Sequence, residues 1–380
     1  MLEIDDYRKK IDKIDRELTR LFEERMDIVI KVGEYKKKNN LPVFNKAREE
    51  EVLKKNIGYL KNAEYAEELK DFFESTMNIA KRLEDKMILE ENASEAPIKL
   101  EGSKNKKDSK IGFYGVVGSF SEEAMIKHFG QRNDAKNYEE FEDVFLAVKN
   151  GEIDYGVVPI ENSSTGAISQ VYDLLYKYGF YIVGEECIKI NQHLIGLEGT
   201  DLKNVREVYS HPQGFGQSTD FLRNYTEWKH IPFHSTADSV KLVSDLKDTS
   251  KVAIASKRAA SIYNLNIIKE NINNKSENTT KFVIISRNLE SDPSCDKVSV
   301  VFSLEHRAGT LYKLLRHFAE NNINMMKIES RPMGKGVWKY FLYVDFEGNI
   351  ENKEVAKALN FIKHDSPYFK LIGTYKRYIG

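Results

Sequence analysis

Positions 4, 7, 11, 14, 18, 21, 25, 28, 32 and 35 are spaced alternately three and four residues apart. They carry Ile, Tyr, Ile, Ile, Leu, Leu, Arg, Ile, Val and Tyr. That period is the seam of a long helix packed against another helix. At 1.5 Å of rise per residue the helix is roughly 50 Å long, more than about 90 residues can cover by themselves. Interlocking helices from two copies are the expected solution, which makes the chain a homo-oligomer, at least a dimer. The seam is broken once, by Arg25, and an arginine on an apolar stripe needs an anionic partner. Lys36 follows close to three turns later, so both cations point the same way. Arg8 points about 100° away from Arg25, toward the pocket of a partner chain.

Beyond this segment, residues 91–109 mix Asn, Ser, Gly, Pro and a lysine run without apolar periodicity and read as a linker. From 110 to 288, apolar runs such as IGFYG, YGVVPI and KFVIIS alternate with helical stretches, the pattern of a mostly parallel sheet flanked by helices. A second boundary falls at 289–296, and 297–380 reads strand, helix, strand, strand, helix, strand, the βαββαβ order of an α+β ferredoxin-like domain. The fold class is thus multidomain: all-α (1–90), two-lobed α/β, then ferredoxin-like. With 58 basic and 59 acidic residues no global field favours nucleic acid or an anionic membrane. The charged start MLEIDDYRKK and the lack of a long apolar run point to a cytoplasmic protein. Cys187 and Cys295 form no metal-ligand spacing and are expected to be free and buried; no metal or cofactor is expected.

The run ERMDIVIKVGEYKKKNNLPVFNKAREEEVL, with Arg8 upstream and KRLE at 81–84, resembles an AroQ-type chorismate mutase over about the first 90 residues. The resemblance implies that Arg25, Lys36 and Arg48 hold the substrate carboxylates and ether oxygen, that Arg8 reaches across a dimer, and that Glu49 takes the ring hydroxyl. Asn45 stands where an aspartate is frequent, and Glu84 where a glutamine often donates to the ether oxygen. Glu84 donates only when protonated, so either burial and nearby carboxylates raise its pKa or mutase activity falls as pH rises.

Four polar clusters mark the middle segment. IGFYGVVGSFSEEA turns through Gly115 and Gly118 into a helix preceded by Ser119 and Ser121, a start that offers backbone N–H groups to an anion. PIENSSTGA sets Asn162, Ser163, Ser164 and Thr165 after a strand; YSHPQGFGQS sets Ser210, His211, Gln213 and Gln217 after another; NTTKF puts Thr279 and Thr280 at a strand head. Each alone is an ordinary cap or turn, but together they suggest one polar pocket between two lobes. These runs resemble prephenate dehydratase, which implies a periplasmic-binding-protein-like pair of lobes with Thr280 assisting loss of the ring hydroxyl. Lys281 stands for the usual arginine of the Thr-Arg-Phe motif, beside Phe282, and His211 is an alternative acid ranked below Thr280.

HRAGTLYKLL, with Gly309, Thr310 and Leu311, and IESRP, with Glu329, Ser330, Arg331 and Pro332, resemble the ACT domains attached to prephenate dehydratases. The resemblance implies a phenylalanine site between subunits, with Thr310 in place of the usual alanine. The expected function is therefore bifunctional: chorismate to prephenate, prephenate to phenylpyruvate with loss of water and CO2, and feedback inhibition by phenylalanine. The alternatives are a monofunctional prephenate or arogenate dehydratase carrying an inactive helical dimerisation module, or a non-enzymatic small-molecule sensor. The sensor would need neither Thr280 nor the mutase cations.

Overall fold

The computed structural model describes residues 2–39, 41, 46–92, 108–333 and 340–378. The chain divides into two compact units, Met1–Pro97 and Ile98–Gly380.

In the first unit, α1 (Leu2–Lys38), α2 (Lys46–Ile57) and α3 (Ala66–Asn92) give the expected all-helical segment, with α3 running two residues past the expected end at 90. Helices α1 and α3 pack through Met26, Met77 and Ala80, all buried. Gly33 brings them close, since a Cβ there would stand 3.2 Å from Glu84 Cγ. The apolar seam is not part of this contact. Ile11, Ile14, Leu18 and Ile28 are 47–58% exposed, so a second row of apolar side chains faces outward along most of α1.

The second unit opens with β1 (Ile111–Tyr114), α4 (Phe120–Phe129), β2 (Lys136–Tyr138), α5 (Phe141–Asn150), β3 (Tyr155–Asn162), β4 (Gly166–Ala167), α6 (Ser169–Tyr178) and β5 (Tyr181–Lys189). The chain then crosses into a second lobe made of β6 (His193–Gly196), β7 (Glu207–Ser210), α7 (Pro212–Gln217), α8 (Thr219–Leu222), β8 (Lys229–Pro232), α9 (Thr236–Leu246), β9 (Lys251–Ala255), α10 (Lys257–Ile262) and β10 (Asn266–Lys269). It returns to the first lobe as β11 (Thr279–Ser286). In the first lobe β1 runs parallel to β2 and β3, and β11 runs antiparallel to β3 and β5. In the second, β7 runs parallel to β8 and β9, and β6 runs antiparallel to β9 and β10. The expectation of a mostly parallel sheet is thus corrected to two mixed sheets. The chain changes lobe twice, and the returning strand enters antiparallel to its neighbours.

The last third is β12 (Lys297–Ser303), α11 (Thr310–Glu320), β13 (Met325–Pro332), β14 (Tyr340–Glu347), α12 (Lys353–Asp365) and β15 (Tyr368–Tyr375), in the expected βαββαβ order. Its antiparallel strands lie in the order β13-β14-β12-β15, the ferredoxin-like arrangement. Alternation along β12 sends Val298, Val300 and Phe302 toward α11 and α12, and Val301 to the opposite face. A sheet with helices on one face leaves the other to be covered, and here α6 covers it. Tyr172 meets Tyr343 edge to face at 4.8 Å, and Tyr176 lies 4.4 Å from Phe341. Such aromatic contacts contribute about 1 kcal/mol each beyond their area. The sheets themselves join where Gly373 of β15 pairs with Ile182 of β5. A Cβ at Gly373 would overlap the Ile182 carbonyl, so only glycine allows this junction. Both cysteines are free, Cys295 buried and Cys187 only partly so.

Candidate active sites and ligand site

The ladder between β3 and β11 sets Thr280 opposite Asn162, which brings the PIENSST and NTTKF runs together. Asn162 is buried and every polar atom of its side chain is used. Its Nδ2 donates to Thr280 Oγ1 (2.9 Å) and Asn278 Oδ1 (2.8 Å). Its Oδ1 accepts from Ser164 N (2.9 Å), Thr165 N (3.1 Å) and Thr165 Oγ1 (3.3 Å). Because Thr280 Oγ1 already accepts a bond from Asn162, its proton is directed elsewhere, leaving a donor fixed at the strand head. Ser163 instead staples the two runs, its hydroxyl donating to Glu277 O and accepting from Thr279 N. Asn278 was not singled out from the sequence, although it immediately precedes the two threonines.

Two of the expected substrate contacts lie in the packed interior of this structure. Phe282 is 2% exposed inside the first-lobe core, since its side chain falls on the packed face of β11. Ser210 is fully buried and donates to Ile254 O at 2.8 Å, tying β7 to β9. Lys281 pairs with Glu161 at 3.5 Å.

His211 caps α7, its Nδ1 accepting from Gln213 N at 3.2 Å, while Gln213 is itself exposed. Burial lowers the His211 pKa from the ordinary histidine value, and an accepting Nδ1 favours the same neutral form. With the folded value depressed, its stabilisation is lost as pH falls below the ordinary range, where the unfolded chain takes up the proton first. Asparagine caps helices equally well, so His211→Asn is expected to keep dehydratase turnover within about tenfold. A general acid would cost about 10²–10⁴-fold. A loss of that size in steady-state assays, or an imidazole titrating above the ordinary histidine value by NMR, would restore His211 as the acid. Gln217 accepts from Gln192 Nε2 at 2.9 Å, and its carbonyl accepts from Asn274 N at 2.7 Å. It therefore binds both segments that cross between the lobes.

The glycine turn after β1 is not open to an external anion as expected. Gly118 N–H donates to Glu122 Oε2 at 2.8 Å, and Arg258 of the second lobe donates to the same oxygen at 2.8 Å. Ser256 Oγ donates to Gly118 O, and Ser119 caps α4 through Glu122 N. The protein's own carboxylate fills the place, and Ser121 is buried behind it. A cleft of about 690 Å³ opens alongside, lined among others by Phe120, Lys189, His193, Lys257 and Glu270.

In the helical unit, α3 ties its neighbours through two ion pairs. Glu84 accepts from Lys36 of α1 at 2.7 Å, and Lys81 meets Glu49 of α2 at 2.8 Å. Glu84 is buried. Arg25 is half-buried, its Nη1 has no hydrogen-bond partner among the described residues, and burial lowers its pKa from the ordinary arginine value. Arg8 and Arg48 are exposed and bond locally to Asp5 and Glu51. Asn45 lies outside the described residues.

At the C-terminal third, Gly309 has φ +81° and leads into α11. Thr310 Oγ1 shares its one proton between the carbonyls of Glu305 and Arg307, both at 2.9 Å, so the hydroxyl that threonine adds where alanine is usual holds the loop before the helix. Leu311 is exposed. Along β13, Ser330 and Pro332 face outward, and Glu329 and Arg331 lie on the less exposed face. Arg331 donates to Asp173 through Nε (3.3 Å) and Nη2 (2.9 Å) and to Ser169 Oγ (2.8 Å). No group of three His, Cys, Asp or Glu among the described residues is disposed to hold a metal ion. No helix among them is long and apolar enough to cross a membrane.

A helical unit carrying Arg25 and Lys36, two lobes with a hydroxyl cluster at a strand head, and a ferredoxin-like sheet define a multidomain enzyme. Comparisons make the class specific. The chorismate mutase type II family matches residues 7–85, prephenate dehydratase 111–290 and the ACT domain 298–364. The bifunctional chorismate mutase/prephenate dehydratase of Aquifex aeolicus is 32% identical over 99% of both chains. A prephenate dehydratase from Arthrobacter aurescens, solved with L-Phe, has a TM-score of 0.64 at 27% identity, covering 70% of this chain and 90% of that one. The structure of GqqA, described as a quorum-quenching acylase, reaches the same score at 26% identity over 70% of this chain and 98% of that one. Fold alone does not choose between such chemistries; the full-length sequence match does. The chain belongs to the bifunctional chorismate mutase/prephenate dehydratase family. It converts chorismate to prephenate and prephenate to phenylpyruvate.

Proposed function

We propose that chorismate is held by Arg25, Lys36 and Arg48 with Glu49 and Glu84, that Thr280 carries the dehydration, and that phenylalanine acts through the ACT segment of an oligomer. The observation that carries this reading is the fixed Asn162–Thr280 pair, which leaves one hydroxyl proton at a strand head where a substrate oxygen can take it. In the second reaction the bond to the departing carboxylate breaks and CO2 leaves, the electron pair of that bond makes the ring aromatic, and the ring hydroxyl leaves as water with one proton drawn from solvent and relayed through the Thr280 hydroxyl. A donor at that oxygen lowers the barrier by stabilising charge that appears only in the transition state. Asn162, itself held by Thr165, braces this donor, Lys281 follows it on β11, and Gln217 serves as a further substrate contact. The first reaction is a [3,3] rearrangement with no nucleophile and no proton transfer, so its catalysis is conformer selection plus cations at the breaking ether bond.

The exposed seam of α1 supports a second copy packed along it, with Arg8 reaching the partner's pocket. The segments proposed as domains, 1–90, 110–288 and 297–380, divide this work. Strand β13 lies at one end of its sheet, with its own Met326 and Ile328 exposed. That edge suits a phenylalanine site shared between subunits, with Gly309, Thr310, Leu311, Ser330 and Pro332 as contacts. Glu329 and Arg331 would sense its occupancy from behind.

Following prephenate and phenylpyruvate after adding chorismate, with and without phenylalanine, tests the whole reading. Phenylpyruvate formed from chorismate and suppressed by phenylalanine is the expected result; no effect of phenylalanine on either activity would remove the regulatory part. Leu18→Asp places a charge in the seam. It is expected to give a smaller assembly by light scattering and to cut mutase activity by about a hundredfold through loss of the partner's Arg8, with dehydratase turnover kept. Unchanged mass and mutase rate would argue against the packed seam.

A further inference from the structure

We propose that Glu161 is a positioning residue of the dehydration and the joint through which strand β13 acts on it, an inference that rests on the phenylalanine reading above. Glu161 precedes Asn162 and stands opposite Lys281 in the β3–β11 ladder. Its side chain is therefore tied to the residue after Thr280, while its backbone neighbour holds Thr280 itself. The same carboxylate oxygen, Oε2, takes two ammonium groups: Lys281 Nζ of β11 at 3.5 Å and Lys327 Nζ of β13 at 3.0 Å. Lys327 stands nearer that oxygen than Lys281 does, so a movement of Lys327 draws the shared carboxylate toward or away from Lys281.

Lys327 is anchored on the dehydratase side as well, donating to Tyr172 OH of α6 at 2.8 Å. Arg331, four residues along the same face of β13, grips α6 through Asp173 and Ser169. At about 3.3 Å per residue these two grips lie roughly 13 Å apart on one strand, so a shift of β13 moves both together. Helix α6 begins at Ser169, joined to the Asn162–Thr165 turn only by the short β4, which pairs with β3 at Glu161 and Asn162. A cavity of about 10 Å³, close to the least that holds one water, is bordered by Glu161, Tyr172, Lys281, Lys297 and Asp345, so the carboxylate and both lysines line one small internal space. Side chains at 15–30% exposure feel each other more strongly than surface ions do. The joint thus links a strand that carries ligand-site residues to the hydroxyl cluster without a residue that touches both ligands.

The test uses the full chain and the variants Lys327→Met, Lys327→Arg and Glu161→Gln. Phenylalanine binding is measured by calorimetry without prephenate, and dehydratase kinetics are measured across phenylalanine concentrations. Lys327→Met is expected to bind phenylalanine within about threefold of the parent but to need at least about tenfold more for half-inhibition, and Lys327→Arg to restore inhibition. Glu161→Gln is expected to lower kcat more than it raises KM and to blunt inhibition likewise. If Lys327→Met is inhibited at the parent's phenylalanine concentration, the joint is wrong. If the parent chain itself binds no phenylalanine, the regulatory reading fails instead, and only the kcat effect of Glu161→Gln then bears on positioning. Should Lys327→Met melt well below the parent, Glu161→Gln decides alone: unchanged kcat and inhibition overturn the proposal.

Discussion

Thr280→Ala lowers dehydratase kcat by about two to three orders of magnitude and leaves chorismate mutase turnover unchanged: that is the result expected from removing one preorganised donor. The argument rests on bond directions. Asn162 Nδ2 occupies the acceptor side of the Thr280 hydroxyl, and Asn162 is itself locked by three donors from Ser164 and Thr165. Alanine removes the donor without disturbing that lock, because Asn162 keeps Asn278. Thr280→Ser retains the hydroxyl but frees its rotor, and most of the rate should return. With chorismate as substrate, the alanine variant accumulates prephenate, measurable directly by chromatography. Phenylpyruvate formed at the parent's rate would show that the fixed hydroxyl takes no part.

Arg25→Met is the complementary case. Mutase kcat/KM is expected to fall about 10³-fold, with dehydratase activity on supplied prephenate unaffected. The folding signature separates this from ordinary damage. Arg25 is half-buried, its Nη1 lacks a hydrogen-bond partner among the described residues, and burial works against its charge. Removing a cation from such a place relieves a desolvation penalty, so the variant should melt no lower than the parent. An arginine kept for packing alone would give the reverse pattern: a lower melting temperature with the mutase rate preserved.

Element types and order were legible wherever periodicity was long or strong: the α1 seam, the buried strands at 155–162 and 279–286, and the βαββαβ tail. The short strands at 136–138, 229–232 and 266–269 were not, because three or four mostly exposed residues carry no alternation to read. Strand direction was also hidden. Nothing local tells β11 that it returns beside β3 after a whole lobe has intervened. At the site, the pairing of Asn162 with Thr280 was foreshadowed by two polar runs at strand ends. The fate of Ser210 and Phe282 was not, since which face of a strand is packed depends on neighbours distant in sequence. The glycine turn at 115–118 misled for a related reason: its anion is Glu122, only four residues from Gly118, held there by Arg258 from the other lobe.

The junction at Gly373 and the cover that α6 lends to the ACT sheet bear on how such a chain can be rearranged by recombination. The helical segment forms a compact unit of its own, so a gene could gain or shed it at the 91–109 stretch without cutting a sheet. The remaining residues share one ladder and one core across the boundary at 289–296, so a cut there would strip Tyr172, Tyr176 and Glu185 of their cover at once. Catalysis and control in this part are inherited as a single block.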